Sequence, residues 1–108
     1  SKADIEKLYA ARELVAKNIG SPYSIVELSK QVGLNDFKLK KGFKELFGTT
    51  IFGYINELRM AEAKLLLIDP AHSIADIAYR VGFKNPQHFT AAFKKQYGIL
   101  PKDIRMNR

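Results

Sequence analysis

Four lysines, Lys38, Lys40, Lys41 and Lys44, crowd the stretch that follows Phe37, and a later stretch carries Asn85, Gln87, His88, Thr90, Ala91, Lys94 and Lys95. Ammonium groups at this density can neutralise phosphates and release their counterions. A glutamine amide matches the edge of adenine, and an aromatic ring or an alanine methyl can touch a thymine methyl. These side chains suit the reading of an anionic polymer. Each also has a plainer use, since lysines often only solvate a surface helix and an aromatic ring often folds back onto a core.

The elements that must position them are written twice. Residues 24–48 read SIVELSKQVGLNDFKLKKGFKELFG and residues 73–98 read SIADIAYRVGFKNPQHFTAAFKKQYG. Ser24 stands before Glu27 and Ser73 before Asp76, so each copy opens on a capping-box pattern. Val32-Gly33 and Val81-Gly82 then close a short helix, Leu34 and Phe83 plug the corner, and Asn35 and Asn85 cap a second helix. That second helix buries Leu39, Phe43 and Leu46 in one copy and Phe89, Phe93 and Tyr97 in the other, and ends at Gly48 or Gly98. Its opposite side then holds Phe37 with Lys38, Lys40, Lys41 and Lys44, or Gln87 and His88 with Thr90, Ala91, Lys94 and Lys95. Gly42 and Ala92, like Ser29 and Ala78, are small residues that allow close helix crossings. The second copy has one extra residue, Lys84, which falls in the turn and adds charge at its edge.

Around the copies, Ile5, Leu8, Ala11, Val15 and Ile19 predict a helix over 4–19, capped by Asp4 and ended by Gly20. Ile51, Ile55, Leu58 and Leu65 share one face of a linking helix that stops at Asp69-Pro70, about 27 Å long for 18 residues. Pro101 and Ile104 suggest a last short helix, with Arg105 and Arg108 as a basic tail. The fold class expected is all-α with seven helices: a first helix-turn-helix subdomain over 1–50, a linker helix over 51–69 and a second subdomain over 70–108.

Composition removes most chemistry. There is no cysteine, and the two histidines, His72 and His88, are too far apart for zinc-ligand spacing. No phosphate-binding glycine loop, nucleophile elbow or paired acid and base is present, so neither catalysis, metal nor cofactor is expected. The formal charge of +7 favours a polyanion as partner, nucleic acid ahead of an anionic membrane. The longest aliphatic run, Leu65–Ile68, is far below the ~20 residues that span a bilayer, and a cytoplasmic protein follows as the expectation. Ser1 opens the chain and no Met precedes Met60, which reads as a domain excised from a longer protein.

The order Ile74, Ile77, Ala78, Val81-Gly82-Phe83, Phe89, Phe93-Lys94, Gly98 and Pro101, preceded by Arg59, Ala63 and Leu65-Leu66, resembles the AraC/XylS family of bacterial transcription regulators over nearly the whole chain. The resemblance implies two helix-turn-helix subdomains joined by a long helix, each offering a recognition helix to the major groove. It places base contacts on Phe37, Lys40 and Lys41, and on Gln87, His88 and Ala91. Arg59 and Ala63 match structural positions, with Asp76 as a candidate partner for Arg59. Thr49-Thr50-Ile51 stands where the family often has a proline, leaving the start of the linker helix open. The stretch from Leu34 to Ala63 also resembles the siderophore-responsive branch.

The implied function is sequence-specific binding of operator DNA by an activator, in successive major grooves about 34 Å apart. Its implied partners are double-stranded DNA, RNA polymerase and an N-terminal effector-binding or dimerisation domain, with a nucleoid-associated location. Two rivals stand beside it. An alkyl-transfer DNA-repair protein would need a cysteine, which is lacking here. A basic protein-docking module would show no preference among duplex sequences.

Overall fold

The structure, a computed structural model, describes residues 1–106, so the expected contribution of Arg108 to a basic tail lies outside the described residues. Seven helices make up the described chain: α1 (Lys2–Lys17), α2 (Ile25–Val32), α3 (Asp36–Phe47), α4 (Ile51–Leu66), α5 (Ile74–Arg80), α6 (Pro86–Tyr97) and α7 (Pro101–Met106). The chain forms two compact units, Ser1–Asn56 and Glu57–Arg108, with the division inside α4.

The first unit is built on Leu8, Ala11 and Val15 of α1, Leu28 of α2, Leu39 and Phe43 of α3, and Ile51 and Ile55 of α4, with Leu34 closing the corner. Helix α1 differs at both ends from the sequence expectation. Ser1 is its cap, with Asp4 N–H donating to Ser1 Oγ at 3.2 Å, and the helix stops at Asn18, whose side chain donates to Leu14 O at 2.9 Å. Ile5 is 45% exposed because the buried stripe starts one turn later, at Leu8. Leu46 is likewise exposed and Phe47 packs in its place, stacking edge-on against Phe43 with ring centroids 4.7 Å apart. Gly42 lets α3 approach α1: a Cβ there would stand 2.8 Å from Leu8 Cδ1.

The second unit packs Met60 and Ala63 of α4 and Leu67 just beyond it with Ile77 and Ala78 of α5, Val81, and Phe89 and Phe93 of α6. The stripe expected on α4 is half right. Ile51 and Ile55 are buried, but farther along the buried residues are Met60 and Ala63, while Leu65 is 65% exposed. One helix serves two cores, so no single face runs its length. Thr50 settles its start, its hydroxyl accepting the Gly53 N–H at 2.9 Å. Its end comes at Leu66, earlier than Asp69-Pro70, because Ile68 and Asp69 turn their N–H groups to carbonyls only three residues back. Arg105 is no solvated tail residue: its Nη2 donates to Asp69 O at 3.2 Å, which holds α7 against the α4–α5 turn.

Both short helices are capped by serine, with one difference. Ser24 and Glu27 exchange both capping-box bonds, whereas Ser73 Oγ accepts the Asp76 N–H while the Asp76 carboxylate turns to Arg80 Nε at 2.8 Å and His72 Nδ1 at 3.3 Å. The Ser24 backbone N–H holds the Glu27 carboxyl below its ordinary range, and the bond from Arg80 does the same for Asp76. A depressed folded value means stability that is fully present above the unfolded pKa of about 4 and is lost as pH falls through the folded value. Melting temperature should therefore fall on acidification below pH ~4, and Glu27→Gln should flatten that acid limb. Parallel limbs in the two proteins would show that Glu27 contributes nothing there.

Candidate nucleic-acid interface

Helix α3 begins where it does because Asn35 Oδ1 accepts the Lys38 N–H at 2.8 Å; α6 begins on Pro86, with Asn85 Oδ1 accepting the Gln87 N–H at 2.7 Å. Asn85, expected to face DNA, thus commits its amide oxygen to the cap. Proline fits at the first helical position because its missing N–H would have no partner there. Gly48 and Gly98, both with positive φ, close α3 and α6.

With Leu39 and Phe43 buried, α3 turns Phe37, Lys38, Lys40, Lys41 and Lys44 to solvent. Phe37 is 70% exposed, so the reading in which its ring folds onto the core does not hold. The Lys41 ammonium lies 5.5 Å from the Phe37 ring centroid, which pairs an apolar surface with a cation at the start of the helix. Lys38 differs from its neighbours, reaching back to Asp4 of α1 at 3.5 Å. Its charge is shared with an acid, while Lys40, Lys41 and Lys44 stand on the exposed face. A cleft of about 480 Å³ runs between α1 and α3, lined by Ile5, Leu8, Phe37 and Leu46 with Lys41 on its rim.

On α6 the inward residues are Phe89 and Phe93, and Gln87, His88, Ala91, Lys94 and Lys95 are exposed. Thr90 is half-buried, which leaves it at the margin of this face. Helix α6 carries two lysines and no acid, against four lysines with Asp36 and Glu45 on α3.

Three supporting contacts had no signal in the local sequence. The Arg59 guanidinium packs under the second turn: a Cβ at Gly82 would stand 2.8 Å from Arg59 Nη2, and the Phe83 ring centroid lies 5.4 Å from Arg59 Cζ. Burial lowers the Arg59 pKa from the ordinary guanidinium value. The bases held by Asp76 are Arg80 and His72, and the observed place of Arg59 is beneath the turn. Lys7 Nζ donates to Gly33 O at 3.2 Å, tying α1 to the first turn. Ser29 Oγ lies 2.8 Å from both Asp36 Oδ1 and Val26 O, so a residue assigned only to packing also reaches the start of α3. Among the described residues no group of three His, Cys, Asp or Glu could hold a metal ion, and no helix is long and apolar enough to cross a membrane.

Residues 28–107 match the family model for a helix-turn-helix domain. The HTH-type transcriptional activator RhaR of Yersinia pseudotuberculosis is 30% identical over 102 residues, covering 94% of this chain and 35% of its own length. The regulatory protein PchR of Pseudomonas aeruginosa is 42% identical over 67 residues, covering 62% of this chain and 23% of its own. The chain therefore spans about a third or less of the length of these curated relatives. Among solved structures, an AraC-type transcriptional regulator from Chromobacterium violaceum superposes with a TM-score of 0.85 at 30% identity, covering 98% of this chain and 95% of that one. The DNA-binding domain of AdpA, solved with a target DNA, shares the fold with a TM-score of 0.83 at 20% identity, covering 93% of this chain and 90% of that one. Two capped helix-turn-helix units, an all-helical chain and these relatives together place this protein in the AraC family, as the DNA-binding helix-turn-helix domain of a transcription regulator.

Proposed function

We propose that this domain binds a specific operator in double-stranded DNA through α3 and α6, each laid in a major groove. The observation that carries this reading is the exposed face of α3, where Phe37 and three lysines on the open side stand opposite a fully buried Leu39 and Phe43. Lys40, Lys41 and Lys44 hold phosphates or guanine edges, and Phe37 meets a thymine methyl or sugar. On α6, Gln87 reads adenine, His88 reaches a base or phosphate, Ala91 offers a methyl contact, and Lys94 and Lys95 hold the backbone. Asn85 and Lys38 act mainly by setting the starts of the helices, and Thr90 contributes at the edge. The complete regulator would act in the cytoplasm on the nucleoid as an activator touching RNA polymerase, with effector binding or dimerisation in another part of the protein.

Selection of bound sites from a random duplex library tests the reading. The expected product is two boxes about one helical turn apart. Recovery of no sequence preference at all would support the docking-module alternative.

A further inference from the structure

The two units differ at one pair of matched positions that the DNA-facing residues do not explain. In the first, Ser29 of α2 and Asp36 of α3 are joined by a hydrogen bond; in the second, the matching residues are Ala78 and Pro86, and neither half of the bond exists. Both partners change together. Ser29 is buried in the first core, and its carbonyl accepts the Gly33 N–H at 2.9 Å and the Leu34 N–H at 3.1 Å, so it already anchors the corner of the motif. Its hydroxyl has one proton to share between Asp36 Oδ1 and Val26 O, both at 2.8 Å, and the charged oxygen is the stronger acceptor. Asp36 stands directly before Phe37, in the first turn of the helix that faces DNA, where a free carboxylate would repel phosphate.

We infer that Ser29 is a positioning residue for DNA binding: its hydroxyl fixes Oδ1 of the exposed Asp36 toward α2, so that the carboxylate is restrained from swinging across Phe37, Lys40 and Lys41 at the start of α3. The bond resolves a conflict between two demands on position 36. An acid in the first turn favours the helix through its dipole, and the same acid opposes a polyanion placed at that end. Fixing Oδ1 to the Ser29 hydroxyl keeps the first benefit and limits the second. The second unit meets the same demand differently, with Pro86 starting α6 and no acid anywhere in that helix. The inference rests on the reading that α3 faces DNA.

The experiment measures binding of four proteins, wild type, Ser29→Ala, Asp36→Asn and the double variant, to a duplex selected from a random library and to an unselected duplex, with melting temperature recorded in parallel. Ser29→Ala should weaken binding to the selected duplex about three- to fivefold, the scale of one surface charge interaction. The double variant should recover most of that loss, because removing the charge makes its restraint unnecessary. Alanine stands at the matching position of the second unit, so the variant is compatible with the motif. An unchanged affinity for Ser29→Ala overturns the inference, and so does a double variant that binds no better than Ser29→Ala, since a purely structural bond is already lost in the single variant and removing the charge would then restore nothing. Failure of the wild type to bind either duplex would instead overturn the assignment of α3 to DNA.

Discussion

Replacing Lys40 and Lys41 together by alanine is expected to weaken duplex binding about 10- to 100-fold near 0.1 M salt and to reduce the slope of log affinity against log salt by about two. Each substitution removes an ammonium that would sit on a phosphate or a base edge, and roughly one fewer counterion is released on binding. Both side chains stand on the exposed side of α3, and neither is tied to an acid of α1 as Lys38 is. Lys38→Ala should therefore cost less than either single substitution. Lys17→Ala, in the last turn of α1, serves as a charge-matched control. Equal losses from Lys17→Ala and Lys41→Ala would mean that net charge alone governs binding and that α3 has no special place in it.

Gly82→Val is expected to destabilise the second unit more than Gly33→Val destabilises the first. Position 82 has φ +110, a conformation that a β-branched residue tolerates badly, and the new Cβ would press on the Arg59 guanidinium at 2.8–3.0 Å. The left-handed conformation costs about 1–2 kcal/mol and displacing the guanidinium, the far end of a side chain stacked near Phe83, adds up to about 1, which gives a loss of about 2 kcal/mol. Gly33→Val in the first unit carries the conformational cost alone, because the nearest atoms there belong to the flexible end of Lys7 at 3.7 Å. Amide hydrogen exchange distinguishes the cases. Gly82→Val should speed exchange at Ile77, Ala78 and Phe93 and leave Leu28 and Leu39 protected. Unaltered protection at Phe93 would show that the turn absorbs the side chain.

What could be read from the sequence was whatever is encoded locally. The serine caps, the positive-φ glycines, the asparagines before α3 and α6 and the inward phenylalanines are all decided within a few residues, and each stands where its neighbours imply. Phe37 was open to two readings because an aromatic ring can go either way, and only the packing of Leu39 and Phe43 shows it left in solvent. The faces of α4 misled for a related reason. A periodic stripe assumes one core, and Ile51 and Ile55 belong to one cluster while Met60 and Ala63 belong to another. Phe47 packs where Leu46 was expected because adjacent apolar residues at a helix end differ by one step of rotation, and the Phe47 ring meets those of Phe43 and Tyr9, with centroids 4.7 and 5.4 Å away. Arg59 beneath Gly82 and Ser29 against Asp36 join residues of different helices, so no local pattern announces them.

The same distinction explains why the two copies stay alike and differ where they do. Residues that cap, turn and pack must be repeated, since each unit needs its own core to hold a recognition helix. Residues on the open faces of α3 and α6 are free to diverge, and they do: lysines around Phe37 in one, Gln87, His88 and Ala91 in the other. Under the proposed function, the cationic helix holds the duplex and the more neutral one sets the register.

Backbone amide chemical shifts, followed as a selected duplex is added to the isotope-labelled domain, test the central claim most directly. The account predicts that the largest changes fall on Phe37–Lys44 and Gln87–Lys95, with Val26, Phe52 and Tyr79, exposed apolar residues of other helices, scarcely moved. Changes concentrated on α2, α4 and α5, with α3 and α6 unaffected, would contradict it.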